Sequence, residues 1–290
     1  MSDFKIGIDY GGTKIEGILI DSNGKEILRK RSTYEKNYES GLNTVKSLVS
    51  EFDKFTDQQN SVGVCIPGFS SYETGLVNNA NCIWINDKPF HKDLEKSLNR
   101  EIRIMNDANC FALSEAIDGS GANYKSVWGV IIGSGFGGSF VYEKKVIEGV
   151  NQIAGDWGHQ PLPYPTEEEI NSNVQCNVGN CKRPLCAEQF ISGIGFTKLF
   201  NEKYGTSLRT REIVALEANG DERAKKEFEL YEDRFARLIS VMIGIVDPEV
   251  IVFGGGMSNV GRLYVNIPKL LPKYTFSDKI RNKILRNTHG

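Results

Sequence analysis

Apolar side chains follow two different rhythms along this chain. Residues 4–9 and 13–20 hold short aliphatic runs of the kind found in buried strands, and Asp21-Ser22-Asn23-Gly24 turns the chain into a third strand expected at about 25–34. The period then lengthens. Leu42, Val45, Leu48, Val49 and Phe52 recur every three or four residues, which predicts a helix over 38–55. A strand at 62–66 stopped by Pro67-Gly68, a helix at 90–99, a strand at 102–105 and a helix at 109–117 follow. The second half opens like the first, with strands at 127–132, 138–142 and near 146–149. Residues 150–188 keep neither rhythm and read as an irregular insertion. Helices are expected at about 189–203, 210–218 and 222–245. A strand at 250–253 runs into Gly254-Gly255-Gly256, and a last helix starts near Gly261.

The repeated opening implies duplicated α/β domains facing each other across a cleft. The expected boundaries are 1–118 and 119–290, hinged at Asp118-Gly119-Ser120-Gly121. Each copy carries a glycine turn between two strands: Asp9-Tyr10-Gly11-Gly12-Thr13-Lys14 and Gly133-Ser134-Gly135-Phe136-Gly137-Gly138. Without a Cβ, such turns let backbone N–H groups converge on an anion. A dinucleotide fingerprint needs a helix after the glycines, whereas Ser139-Phe140-Val141-Tyr142 is strand-like. No Gly-x4-Gly-Lys-Ser/Thr run exists either. What remains is a phosphate clamp between hairpin strands, to which Asp9 adds a carboxylate able to hold magnesium through water.

Bulk properties narrow the partners. A net charge of −2 over 290 residues gives no electrostatic case for nucleic acid or an anionic membrane. No apolar run is long enough to span a bilayer, and the first strand follows Met1-Ser2-Asp3 with no leader pattern. Six cysteines in a chain this long do not make a disulfide scaffold, so a cytoplasmic setting is expected.

Two side-chain groups carry candidate chemistry. Asn106-Asp107-Ala108-Asn109 sits where a strand gives way to a helix. It reads either as an N-cap or as a fixed general base able to take a proton from an alcohol attacking phosphorus. Asn78, Asn79, Asn81, Asp156, His159 and Glu188 fall where loops should gather, and a hydroxyl-rich substrate needs such paired donors and acceptors. His159, Cys176, Cys181 and Cys186 supply one imidazole and three thiols, either a closed zinc site or reduced cysteines beside an unrelated histidine.

With these residues in view, the chain resembles the ROK family of sugar kinases, within the actin/hexokinase-like (ribonuclease H-like) fold. Residues 9–14 look like the family's first phosphate motif, residues 133–138 like its second, and Gly254-Gly255-Gly256 like its adenosine-side motif. Asn106-Asp107 matches the sugar-binding Asn and catalytic Asp. Gly155-Asp156-Trp157-Gly158-His159 resembles the Gly-Glu-x-Gly-His signature, and Cys186-Ala187-Glu188 the end of the cysteine motif. Asn79-Ala80-Asn81, Trp84, Lys88-Pro89-Phe90 and Gly256–Val260 are most similar to the fructokinase/mannokinase branch, with the N-acetylglucosamine kinases next.

The resemblance implies an ATP-dependent hexose kinase acting on the primary hydroxyl of fructose or mannose, with N-acetylglucosamine or glucose as alternatives. It implies ATP, Mg²⁺ and structural Zn²⁺, a homodimer, and two domains that close on ATP and sugar. Asp107 is the expected base. Gly68, Asn81, Asn106, Asp107, Asp156, His159 and Glu188 are expected to hold the ring. Gly11, Gly12, Thr13, Lys14, Gly133, Ser134, Gly135 and Gly137 are expected to hold the phosphates, and Gly254, Gly255 and Gly256 the adenosine.

Three positions depart from the family. Asp156 stands where Glu is usual. Gly179 occupies the place of the first cysteine, for which Cys176 could substitute if the loop is rerouted. The chain also stops at Thr288-His289-Gly290, where relatives continue into a closing helix. A DNA-binding repressor of the family would carry a helix-turn-helix before the first strand, and a sensor without catalysis would not need both turns and Asp107.

Overall fold

The computed structural model describes residues 4–178 and 181–289. Met1–Asp3, Gly179, Asn180 and Gly290 lie outside those residues. So do the stretch read as preceding the first strand, the glycine read in place of a cysteine, and the final residue. The chain divides into two compact units, residues 1–110 and 111–290.

The first unit runs β1 (Phe4–Tyr10), β2 (Lys14–Asp21), β3 (Glu26–Thr33), α1 (Tyr38–Thr56), β4 (Ser61–Ile66), the two-residue strands β5 (Phe69–Ser70) and β6 (Val77–Asn78), α2 (Phe90–Leu98) and β7 (Ile102–Asn106). Its main sheet has the order β3-β2-β1-β4-β7. β1, β2 and β3 are antiparallel neighbours, while β4 and β7 run parallel to β1. The predicted stripe of α1 is the buried one: Leu42, Val45, Leu48, Val49 and Phe52 pack with Ile6, Ile8, Ile15 and Leu19. Each such buried side chain contributes about 1.5–3 kcal/mol. The close fit needs Gly17, where an added Cβ would stand 2.7 Å from the Phe52 ring. Asn37 caps α1 by accepting the Ser40 N–H at 2.8 Å.

Helix α3 (Asp107–Ile117) begins in the first unit and ends in the second. The second unit continues with β8 (Ser126–Ile132), β9 (Phe136–Tyr142), β10 (Lys145–Val146), α4 (Glu167–Asn171), α5 (Glu188–Ile191), α6 (Gly193–Tyr204), α7 (Thr210–Ala218), α8 (Glu222–Val246), β11 (Val250–Gly254), α9 (Leu263–Tyr274) and β12 (Lys283–Arg286). Its sheet order, β10-β9-β8-β11-β12, repeats the arrangement of the first, with antiparallel strands on one side of β8 and parallel strands on the other. Trp128, Val130 and Ile132 of β8 share a core with Phe228, Tyr231 and Phe235 of α8 and Phe253 of β11.

The sequence expectations need three corrections. The helix expected over 189–203 is two helices. Ser192 is extended (φ −62°, ψ 153°) and caps α6 by accepting the Gly195 N–H, and glycines at 193 and 195 disfavour a continuous helix. The strand expected near 146–149 is only Lys145–Val146. The insertion contains α4, held by a capping box between Thr166 and Glu169.

Candidate functional site

In the first unit, the turn between β1 and β2 is closed by the Gly11 N–H donating to the Lys14 carbonyl at 3.1 Å. The Tyr34 hydroxyl donates to the Gly11 carbonyl at 2.8 Å, and the Tyr34 ring meets Tyr10 and Trp84. Asp9 lies at the end of β1, in register with Glu16 of β2 and Cys65 of β4. At the end of β7, the Asn106 carbonyl oxygen accepts the N–H groups of Ala108 and Asn109, so it caps α3, while its amide donates to the Gly68 carbonyl at 2.9 Å. Asp107 opens the helix and accepts the Ala108 N–H at 2.8 Å. Both readings of the Asn-Asp pair therefore have a residue to bear them, Asn106 the cap and Asp107 the carboxylate.

Asp9 and Asp107 are both reached by solvent, yet protein atoms crowd their remaining sides. That crowding raises the proton affinity of each. At Asp9 the neighbouring Glu16 adds to the rise and Lys14 opposes it. At Asp107 the Ala108 N–H opposes the rise and Asp9 adds to it. Gly68 has φ +77°, and a Cβ there would stand 2.3 Å from the Asn78 carbonyl oxygen, so only glycine fits. Asn81 is exposed and accepts from the Cys82 thiol.

In the second unit, the turn between β8 and β9 exposes Ser134 and Gly135. Gly255 (φ +80°) packs against its near end, where an added Cβ would stand 2.7 Å from Ile132 and 3.0 Å from the Gly133 nitrogen. The glycines at 133 and 254–256 are thus neighbours. Beside them opens a cavity of about 570 Å³ lined by Gly133, Ser134, Gly256 and Met257, with Ile194, Arg211 and Val214 among its walls. An apolar cleft with a few polar groups, next to a phosphate-type turn, suits a nucleoside. Gly193, Ile194, Thr210, Arg211 and Val214 were not foreseen. Their one sequence signal was Ser192-Gly193-Ile194-Gly195, which a single long helix should not contain.

Glu188, buried at the start of α5, accepts the Phe136 N–H at 3.4 Å, and its Oε2 lies 4.0 Å from His159 Nε2. Burial raises its proton affinity, His159 pulls it down, and Asp156 pushes it up. Asp156 itself is exposed. The other ring nitrogen of His159, Nδ1, is 3.8 Å from Cys176 Sγ and 3.6 Å from Cys186 Sγ, and the Sγ atoms of Cys181 and Cys186 are 4.0 Å apart. All four ligand atoms lie within 4.8 Å of one another. Tetrahedral zinc with arms of about 2.3 Å to sulfur and about 2.0–2.1 Å to nitrogen would set such separations near ~3.8 and ~3.6 Å. The donor set fits zinc. Cys176 reaches it because the Cys176 N–H donates to the Arg183 carbonyl and Gln175 bridges Pro184, folding the loop back on itself. Burial raises the thiols of Cys176 and Cys186, which a bound cation would offset.

Two α/β units of one sheet order, each with a hairpin glycine turn, define a duplicated α/β architecture. Residues 5–290 match the ROK family, and the chain belongs to it. Over 273 residues it is 39% identical to the N-acetyl-D-glucosamine kinase of Pasteurella multocida, covering 92% of this chain and 89% of that one. In fold it is similar to a ROK hexokinase from Thermus thermophilus (TM-score 0.85, 21% identity, 99% of this chain and 93% of that one). It is similar also to a ROK family transcriptional regulator, a homologue of the Escherichia coli MLC protein (TM-score 0.84, 17% identity, 99% and 74%). The fold therefore does not by itself decide between enzyme and regulator. The likeness to an N-acetyl-D-glucosamine kinase reverses the order of branches expected from residues 79–90 and 256–260.

Proposed function

We propose that this chain is an ATP-dependent kinase of N-acetyl-D-glucosamine that transfers the γ-phosphate to the sugar's primary hydroxyl. The sugar is favoured over fructose and mannose by identities of 34–39% to several N-acetyl-D-glucosamine kinases over nearly the whole chain. The observation that carries the chemistry is Asp107, a carboxylate fixed at a strand–helix junction with its proton affinity raised toward the working range of a general base. In this reading Asp107 takes the proton of the primary hydroxyl as that oxygen attacks phosphorus, and the bond from phosphorus to the β-phosphate oxygen breaks, releasing ADP. Backbone N–H groups of Gly11, Gly12, Thr13, Gly133, Ser134, Gly135 and Gly137, with Lys14, hold the phosphates, and Asp9 binds Mg²⁺ through water. The cavity beside Gly254–Gly256 takes the adenosine. Gly68, Asn81, Asn106, Asp156, His159 and Glu188 orient the ring.

His159, Cys176, Cys181 and Cys186 would hold zinc, whose role is to order residues 159–186 and fix the His159 ring. The same reading includes a homodimer and a cytoplasmic setting, in keeping with six unpaired cysteines. No helix among the described residues is long and apolar enough to cross a membrane.

An ADP-release assay with N-acetyl-D-glucosamine, mannose, fructose and glucose tests the proposal. N-acetyl-D-glucosamine should give the highest kcat/KM by about tenfold or more. A higher value for another hexose would overturn the sugar, and no ADP release with any of them would overturn the kinase.

A further inference from the structure

One short segment grips the second glycine turn at both ends. The Glu188 carboxylate accepts the Phe136 N–H at 3.4 Å, where the turn enters β9, and the Gly193 N–H donates to the Gly133 carbonyl at 2.8 Å, where the turn leaves β8. The same carboxylate oxygen, Oε2, is 3.5 Å from where a Cβ on Gly135 would stand and 4.0 Å from His159 Nε2. Glu188 is in turn pinned from its own backbone, whose N–H donates to the Gly158 carbonyl at 2.8 Å. A residue read as a sugar ligand thus rests directly on the phosphate turn, with no side chain between them.

We infer that Glu188 is a positioning residue that couples the two substrates: sugar hydroxyls engaging its carboxylate reset the Phe136 N–H and with it the turn that holds the phosphates. A carboxylate oxygen that takes up a hydroxyl donor redistributes its acceptance between that donor and Phe136. A ligand shifts an equilibrium only through such differential contacts. By linkage, sugar then tightens nucleotide by the factor with which nucleotide tightens sugar. The physical gain is that the turn adopts its gripping form chiefly when an acceptor is present, which disfavours transfer to water. The inference rests on the sugar-kinase reading given above.

The test is calorimetric titration of the non-hydrolysable ATP analogue AMPPNP, with and without saturating N-acetyl-D-glucosamine. Wild type should bind the analogue more tightly with sugar present, by a factor within the roughly 5–150-fold span common for coupled sites. Glu188→Ala should bring that factor to about one. Asn81→Ala, which alters a sugar ligand remote in sequence from the turn, should weaken sugar yet keep the factor. Coupling that survives in Glu188→Ala, or is missing from wild type that binds both ligands, overturns the inference and leaves the kinase reading intact. Wild type that binds no sugar at all overturns the kinase reading, and the inference with it. A second measurement needs no variant: hydrogen exchange of the Phe136 amide in wild type should change about tenfold when sugar alone is added. Unchanged exchange there sinks the proposal.

Discussion

Glu169→Gln should unlock the insertion that carries the cysteines. Glu169 Oε1 accepts Arg234 Nε and Arg237 Nη2, both at 2.7 Å, and Oε2 accepts Arg237 Nη1 and the Thr166 N–H, both at 2.9 Å. Arg237 Nη1 also donates to the Pro163 and Tyr164 carbonyls, so α8 grips the loop backbone as well as its carboxylate. The side chains of Glu169 and Arg237 are 4% and 2% exposed, so removing the Glu169 charge leaves Arg237 away from water with Asp233, 3.1 Å from its Nε, as its remaining carboxylate. Breaking a pair of that kind costs about 3–5 kcal/mol. The proton affinity agrees. Burial pushes the Glu169 carboxyl up, but its bonds from Arg237 and Arg234 outweigh that and hold it at about 2 instead of 4.5. At ~1.4 kcal/mol per tenfold in proton affinity that difference is worth about 3 kcal/mol.

Because the folded value is depressed, this stability is complete above about pH 4.5 and is lost as the pH falls toward about 2. Thermal unfolding followed by the fluorescence of Trp128 and Trp157, both buried in the second unit, should drop by roughly 6–20 °C in Glu169→Gln at neutral pH. The gap between variant and wild type should narrow below pH 4. The double replacement Glu169→Leu with Arg237→Met, which removes both charges of the most buried pair and leaves only the more exposed Arg234 and Asp233 to find solvent, should be less damaging than Glu169→Gln alone. A loss below about 1 kcal/mol in Glu169→Gln, or a gap that does not change with pH, would refute the reasoning.

Three further outcomes are expected. Asp107→Asn should lower kcat by ~10²–10⁴ while sugar affinity by calorimetry stays within about threefold. The acid limb of kcat/KM in wild type should lie above the ordinary Asp value of 3.8, activity falling as the pH falls through it, and should vanish in the variant. Gly68→Ala forces a Cβ to within 2.3 Å of the Asn78 oxygen at positive φ, and should cost about 2 kcal/mol or more in Trp84-monitored unfolding and weaken sugar binding. Elemental analysis should find about one zinc per chain in native protein and almost none in Cys176→Ser. A full complement in that variant would exclude Cys176 as a ligand.

Where local chemistry decides the structure, the chain could be read directly. The hairpins at both glycine turns and the stripe of α1 follow from Gly, Asn-Gly and a regular apolar period, and each formed as expected. β12 escaped because Lys283–Arg286 is a half-exposed edge strand whose pairing with β11 is decided by contacts far along the chain. The walls of the cavity escaped for a related reason. Ile194 and Val214 belong to different helices, and nothing in the order of residues says that they meet across Gly133. The Cys-x4-Cys-x4-Cys spacing was ambiguous as written and became a four-donor set only once the backbone bond from Cys176 to Arg183 folded the loop. Asn106-Asp107 was ambiguous because cap and base favour the same residue types; in the structure Asn106 caps α3, which leaves the exposed Asp107 carboxylate beside it for the proposed base.

The thiol cluster has a consequence for how this protein ages. With Cys181 and Cys186 sulfurs 4.0 Å apart and Cys176 alongside, the loop holds the partners of a disulfide already gathered. An occupying cation would then act as a chemical guard as well as a brace. Stripped of it in air, the loop could cross-link internally, and the fault would pass through the His159 ring toward Glu188. Preparations that lose activity on storage, and regain it only when reductant and zinc are supplied together, would carry that signature.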